Sequence, residues 1–278
     1  MFICYSHENF KDENQQMRGF LYTNYSIGPH LHEFYEMNII LQGIGTHCIE
    51  NSTFPVKKGD VFIIPPMTTH SYFDTHNLEV YHILMRENFI TRQAAESNFV
   101  PGFLQLTEIE PYIRQYGSNT MFLRLSSNQL LQLQNDLYFI DDNHFADEKL
   151  LPLKMHALWK MLYWLSGLLL EQMQHTKKLQ TQSESAILDI LEFIHQNYDK
   201  KLTIDLLCKK AFLSRSTFLR SFSNVCGCTP TQYINKVRCK KAVELLENAA
   251  LSKTQIAHSC GFYDLSHMER TIKNTTVL

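Results

Sequence analysis

Four residues in the first quarter of the chain have the types that a metal centre or a polar pocket needs. His30, His32 and Glu36 form a His-x-His-x3-Glu run, and His70 follows further on. Three imidazoles and a carboxylate make a sound ligand set for a divalent transition metal with open positions, the chemistry of a metal-dependent dioxygenase or isomerase. Without a metal, the same side chains offer donors and acceptors to a polar effector such as a sugar. Strand alternation puts His30, His32 and Glu36 on one face, as either reading requires. A second set lies far along the chain: Arg215, Ser216, Thr217, Arg220 and Ser221. Short hydroxyl side chains interleaved with arginine suit phosphates and the acceptor edge of guanine. Nothing resembles a phosphate-cradling glycine loop or a nucleophile elbow.

The second set must be presented by a helix pair. Leu202 to Ala211 reads as a short helix with apolar residues at helical spacing, Phe212-Leu213 as a turn, and Ser214 as the cap of a helix whose inward positions are Phe218 and Phe222. The pattern returns further on. Ser252 caps a helix carrying Ile256 and Ala257, Cys260-Gly261-Phe262 makes the turn, and a last helix carries Met268 and Ile272. Cys208 and Ala211 in the first pair, and Ala257 and Cys260 in the second, are small where helices must cross closely. The repeat predicts tandem helix-turn-helix units.

Between them stand Tyr233-Ile234, Arg238, Ala242 and Leu245-Leu246, followed by Ile256-Ala257 and Gly261-Phe262-Tyr263-Asp264. At this spacing the C-terminal part of the chain resembles the AraC/XylS transcription regulators. The resemblance implies two helix-turn-helix units on one linker helix, with recognition helices in successive major-groove faces on the same side of double-stranded DNA. It carries base or phosphate contacts onto Ser216 and Arg220 in the first unit and onto Ser266, Glu269 and Arg270 in the second. It also implies a dimer that recruits or blocks RNA polymerase. The family's closing Gly-x-x-Pro-x-x-Tyr-Arg segment does not follow Ile272, and Met268 and Ile272 stand where Phe is expected. The second recognition helix is therefore expected to lose apolar burial, roughly a few kcal/mol, and to fray off DNA.

Residues 1 to about 85 alternate at strand period. Tyr35 to Leu41, Thr46 to Glu50 and Asp60 to Ile64 read as strands separated by Gly43, Gly45, Asn51 and Gly59. With Gly43, Gly59-x5-Pro65 and His70, the His-x-His-x3-Glu run resembles the two cupin motifs, although Met67 replaces the usual Gly and Asp74 the usual Asn. That resemblance implies a barrel in which His30, His32, Glu36 and His70 surround one point. In sensor cupins fused to this kind of DNA-binding domain they serve the effector pocket. No cofactor is required there and no residue is catalytic; a divalent metal stays possible at these four positions.

From Ser127 the period becomes helical. Leu130, Leu131, Leu133, Leu137 and Ile140 mark one helix, and Leu153 to Met173 a longer one, apolar around so much of its circumference that it is expected to form the dimer contact. Asp141-Asp142 and Asp147-Glu148 read as solvated loop charges. The expected fold is two-domain α+β. A cupin-like β-barrel sensor spans residues 1–125 and dimerisation helices 126–175, a polar linker runs over 176–185, and an all-α tandem helix-turn-helix domain fills 186–278. Charge agrees: from Glu184 onward thirteen Lys and Arg face nine Asp and Glu, against thirteen and nineteen before it. The seven cysteines are odd in number and unpatterned, and neither a leader nor an apolar run of membrane length is present, so a reduced, cytoplasmic protein with no membrane partner is expected. The functional expectation is an effector-responsive regulator, an activator acting as a homodimer. A metal-dependent cupin enzyme, or a shortened regulator acting only as a dimerisation partner, are the alternatives.

Overall fold

Apolar residues at alternate positions between Phe2 and Met85 build a single mixed sheet, described with the rest of the chain in a computed structural model covering residues 2–50, 52–90, 100–116, 123–144, 148–177, 182–246 and 251–275. Its strands are β1 (Phe2–Cys4), β2 (Met17–Tyr22), β3 (Ile27–His32), β4 (Tyr35–Ile49), β5 (Ser52–Lys57), β6 (Asp60–Ile64), β7 (His70–Met85) and β8 (Leu123–Arg124). The hydrogen-bonded order is β1-β3-β7-β4-β6-β8, with β2 also on β7 and β5 also on β4. The unit is β-rich and cupin-like as expected, but among the described residues the sheet has two free ends and does not close into a barrel. Its curvature comes from the two long strands. One half of β4 pairs with β6 and the other with β5, while β7 is shared between β3 and β2.

Gly43 and Gly45 bend β4 instead of ending it. Register shifts fall between Ile40, Gln42, Ile44 and Thr46, and Gly43 has φ +80 where any Cβ would collide with the backbone of Asn77. Inside the bend lie Ile40, Ile49, Phe54, Val56, Phe62, Ile64, Tyr72 and Val80.

Helix α1 (Ser6–Asn9) follows β1. A wide π-turn at Gln105–Ile109 leads into α2 (Glu110–Tyr116), where fully buried Arg114 bonds Glu110 at 2.8 Å and the carbonyl of Ile63. Ser126 caps α3 (Ser127–Ile140) in a capping box with Gln129, and Leu130, Leu133, Leu137 and Ile140 face inward. Leu131 was expected on that stripe but is 64% exposed, one residue off the inward spacing. The long α4 (Leu151–Lys177) buries Leu158, Met161, Leu162, Leu165, Leu169 and Met173 within its own unit. Trp159 packs on Phe89 and Phe103, and the Gln172 amide bonds both backbone groups of Arg124. Most of the apolar girth that suggested a partner is thus covered in cis. Asp142 is not a solvated loop charge: it pairs with Arg18 at 3.1 Å and Lys154 at 2.6 Å, joining β2 to α4. Asp147 lies outside the described residues.

The chain divides into Met1–His175 and Thr176–Leu278. Helix α4 reaches Lys177 and α5 (Gln182–Gln196) begins soon after, so helix occupies both ends of the expected linker, and 178–181 lie outside the described residues. Then come α6 (Ile204–Ala211), α7 (Arg215–Cys226), α8 (Pro230–Leu246), α9 (Lys253–Ser259) and α10 (Leu265–Thr275). Cys208, Ala211, Ala257 and Cys260 are all buried at the crossings. The first half-core is aromatic, with Phe222 5.7 Å from Phe218 and 5.8 Å from Tyr233, whose hydroxyl lies 2.9 Å from His195 Nε2. The second is small and aliphatic: Cys239, Ala242, Ile256, Ala257, Cys260 and Met268 with Phe262, and with Leu245, Leu265 and Ile272 partly buried. Arg238 ties α8 to the turn after α5 by donating to the carbonyls of Tyr198 and Lys200, both at 2.8 Å. Among the described residues no helix is long and apolar enough to cross a membrane.

Candidate functional site

The pairing register gathers the first set. His30 stands opposite His70 across β3 and β7, and Asn38 opposite His82 across β4 and β7, which puts Glu36 diagonal to His82. All four expected residues, His30, His32, Glu36 and His70, are brought together and buried. The Glu36 carboxylate is the hub. His32 Nε2 is 2.9 Å and His70 Nε2 3.3 Å from Oε2, and His82 Nδ1 is 2.5 Å from Oε1. The ring of His30 is tilted against that of His70 with centroids 4.1 Å apart, and Phe2 stacks on its other side.

Backbone carbonyls fix the histidines. Nδ1 of His30 lies 3.0 Å from Gly28 O, that of His32 2.6 Å from Phe34 O, and that of His70 3.2 Å from Thr68 O. A ring held that way carries its proton on Nδ1 and presents a lone pair at Nε2. For His32 and His70 that lone pair meets a carboxylate oxygen, and neither Nε2 has a well-aligned hydrogen-bond partner. A proton or cation between them removes the conflict. His30, Glu36 and His70 bring their ligand atoms within 4.8 Å of one another, a spacing compatible with one divalent ion, so these residues fit a metal.

Burial raises the carboxyl of Glu36, but the imidazoles of His32, His70 and His82 gathered against it outweigh that and hold Glu36 well below its ordinary range. Burial, reinforced by His70, lowers His30 to about 4. It also lowers His70, against the pull of Glu36, and takes His47 well below the usual imidazole value.

Three members escaped the motif. His82 completes the shell around Glu36. His47 is fully buried, lies flat on Tyr72 at 4.3 Å, and has no partner at either ring nitrogen. Asn38 donates to the Tyr72 hydroxyl at 3.2 Å and leaves its Oδ1 unpartnered. Asn38 was within reach of sequence reasoning, because it continues the alternation of Glu36. His47 and His82 depend on the register of two bent strands, which no local pattern discloses. Of the aromatics, Tyr72 and Tyr81 are buried, the latter donating to Leu137 O, while Phe73 is 41% exposed.

In the second unit the two recognition helices start alike. The Ser214 hydroxyl accepts from Thr217 N at 3.3 Å, and the Asp264 carboxylate accepts from His267 N at 2.7 Å. Counting from those caps, Ser216 matches Ser266 and Arg220 matches Arg270. Arg215, Ser216, Arg220, Ser266, Glu269 and Arg270 are exposed. Arg215 reaches Asp205 at 2.7 Å, and Glu269 stands 4.0 Å from Lys253. Thr217 is half-buried with its hydroxyl 2.9 Å from that of Ser214. Ser221, expected to face outward, is buried at 7% exposure. It falls on the stripe Phe218, Ser221, Phe222, Val225, the i, i+3, i+4, i+7 positions of the packed face.

A β-rich unit enclosing a polar cluster, followed by tandem helix-turn-helix pairs with matched exposed faces, defines a ligand-responsive DNA-binding protein. Residues 21–133 match the AraC-like ligand binding domain and residues 207–277 the helix-turn-helix domain. The HTH-type transcriptional regulator YdeC of Bacillus subtilis (strain 168) is 25% identical over 261 residues, covering 91% of this chain and 82% of that one. The HTH-type transcriptional activator RhaS of Escherichia coli O81 (strain ED1a) is 26% identical over 238 residues, 86% of this chain and 80% of that one. A solved structure of ToxT from Vibrio cholerae covers 94% of this chain and 95% of that one at 15% identity, with a TM-score of 0.40. The chain belongs to the AraC/XylS family of transcriptional regulators, with a ligand-binding and a DNA-binding domain.

Proposed function

We propose that this regulator is an activator in which a polar effector, contacted by His30, His32, Glu36 and His70, changes the ability of residues 186–278 to hold double-stranded DNA. The observation that carries the reading is the matched register of Ser216 and Arg220 with Ser266 and Arg270 on two equally capped helices. Arg215 and Thr217 in the first unit and Glu269 in the second complete the contact set; Ser221 is left out of it. Effector chemistry is supported by buried polar atoms that still need partners, namely Asn38 Oδ1, both nitrogens of His47 and Nε2 of His82. The exposed Leu131, Tyr138 and Leu153 support a homodimer through residues 126–175. The bound dimer recruits RNA polymerase in the cytoplasm, an activating role in keeping with the name of RhaS.

The test is binding of the full-length chain to DNA from its own upstream region, over a salt series and against scrambled competitor. The expected outcome is competitor-resistant binding that falls with salt, weakened roughly tenfold or more by Arg220→Ala. Sequence-blind binding, unmoved by that change, sinks the reading and favours the dimerisation partner. A second reading, a divalent cation at His30, Glu36 and His70, is favoured by the lone-pair conflict around Glu36. Elemental analysis of protein purified without chelator decides it, a metal-free cluster being the outcome against it.

A further inference from the structure

Phe212 is 94% and Tyr263 84% exposed, the two most exposed large apolar side chains among the described residues. Each lies in the turn of its repeat, at neighbouring and not equivalent positions. Phe212 lies in the turn before α7, two residues ahead of the cap Ser214, and Tyr263 immediately precedes the cap Asp264 of α10. Phe212 has a second peculiarity: it adopts φ 54, ψ 35, the left-handed region, while closing α6 with its N–H on the carbonyls of Cys208 and Lys209. The matching turn of the other repeat uses Gly261, at φ +77. Glycine takes this conformation freely, whereas a bulky side chain there is strained and in this case gains no burial in return. A residue that costs stability through its backbone and wets a whole aromatic ring calls for a partner outside the chain.

The turn's position says which partner. It abuts the N-terminal end of the recognition helix, the end that meets base edges in helix-turn-helix docking. Exposed Arg215 and Ser216 follow it, and exposed Lys209 and Lys210 precede it, so the ring sits among groups suited to phosphate. In Tyr263's repeat, Ser266 and Arg270 occupy the corresponding flank. The apolar surfaces that a duplex offers at such a place are thymine methyl groups and the carbon faces of deoxyribose.

We propose that Phe212 and Tyr263 are DNA-contacting and specificity-determining residues, each laying its ring against a thymine methyl and the adjoining sugar at the mouth of the major groove. The proposal rests on the DNA-binding reading above and adds to it one apolar contact per repeat, which selects for thymine beside the polar contacts of Ser216, Arg220, Ser266 and Arg270.

The experiment uses the full-length chain and its own upstream DNA, with wild type, Phe212→Gly, Tyr263→Ala and Arg220→Ala in parallel, on natural DNA and on DNA with thymines replaced one at a time by deoxyuridine. Phe212→Gly is expected to melt no lower than wild type, because glycine relieves the left-handed strain, yet to bind natural DNA about tenfold more weakly. At least one uracil replacement, which removes only a methyl group, should weaken wild type and leave Phe212→Gly unaffected; Tyr263→Ala should do the same at a different thymine. If Arg220→Ala weakens binding and both aromatic variants bind like wild type, the proposal is overturned while the DNA-binding reading stands. If wild type shows no operator preference, both fall. If the aromatic variants bind DNA normally but lose activation of transcription with purified RNA polymerase, the rings meet protein instead, and the proposal is overturned in that way.

Discussion

The two units treat polar side chains in opposite ways. In the first, a carboxylate and five imidazoles are packed out of water around strands β3, β4 and β7, and several of their atoms lack partners. In the second, the polar residues proposed to meet DNA lie exposed on α7 and α10, while the interior is aromatic in one repeat and small and aliphatic in the other. A buried polar group left short of partners is costly, and an exposed one costs almost nothing. The first unit therefore spends stability on its site and the second does not. Substitutions in the first should move folding and function together, whereas the second should let them be separated.

The largest effect expected is on an apolar residue of the DNA-binding unit, which fixes the scale. Phe222→Ala removes a fully buried ring at the junction of α7 and α8 and should destabilise that unit by about 3–5 kcal/mol. Urea unfolding followed by a probe in each unit should show the first unit's transition unmoved. Next comes Glu36→Ala. It takes away the carboxylate that His32, His70 and His82 surround, and should cost the first unit about 3 kcal/mol, with no shift of the second unit's transition. An unshifted first transition would mean that the carboxylate is as dispensable as a surface residue, and the contrast between the units would collapse.

Acid should separate the units in the same direction. His30 is lowered from 6.5 to about 4, mainly by burial and then by His70, and burial lowers His70 and His47 as well. The native cluster then binds fewer protons than the unfolded chain. Its contribution is complete above about pH 6.5 and is lost as pH falls towards 4; that of Glu36, also lowered, is present above about pH 4.5 and is lost below it. In the second unit burial raises Tyr198, Cys208, Cys226 and Cys260 from values already above neutrality and lowers Arg238. Melting of the first unit should fall between pH 6.5 and 4 while binding of DNA by the separately monitored second unit is not limited by these groups. A flat profile for the first unit would show that the histidines are not held neutral.

What could be read in advance follows the same division. Helical repeats are local, so the caps Ser214 and Ser252, the crossings at Cys208 and Ala257 and the inward Phe218, Phe222 and Met268 were all legible. Ser221 is polar yet lies on the i, i+3, i+4 stripe, and the stripe decides its burial. The sheet site was half legible. Alternation found His30, His32 and Glu36, although the single strand expected for them is two, His30 and His32 ending β3 and Glu36 opening β4; the cupin resemblance brought in His70, but His47 and His82 enter through pairing between residues 25 to 44 apart, across a bend made by Gly43. The open sheet, too, depends on how β4 and β7 divide their lengths between neighbours, a decision made by tertiary packing. The apolar girth of α4 was visible and its reason was not, since Phe89, Phe103 and Arg124 reach it from distant segments.

The smallest effects on stability test the comparison most finely. Ser214→Ala removes the acceptor for Thr217 N and should cost about 1 kcal/mol, visible as a modest loss in the second unit alone. Arg220→Ala should change stability by less than about 0.5 kcal/mol, because an exposed side chain on the outer face of α7 has no packing to lose. Arg215→Ala should behave the same way, since its pairing with Asp205 lies in water, where such bridges contribute little. Operator affinity should nonetheless drop roughly tenfold in Arg220→Ala, and the slope of affinity against salt should flatten in Arg215→Ala if that arginine meets phosphate. A variant that loses affinity in proportion to its melting temperature would place these arginines in the fold. Unchanged melting with lost binding would place them on DNA, the separation of folding from function that the buried cluster around Glu36 does not permit.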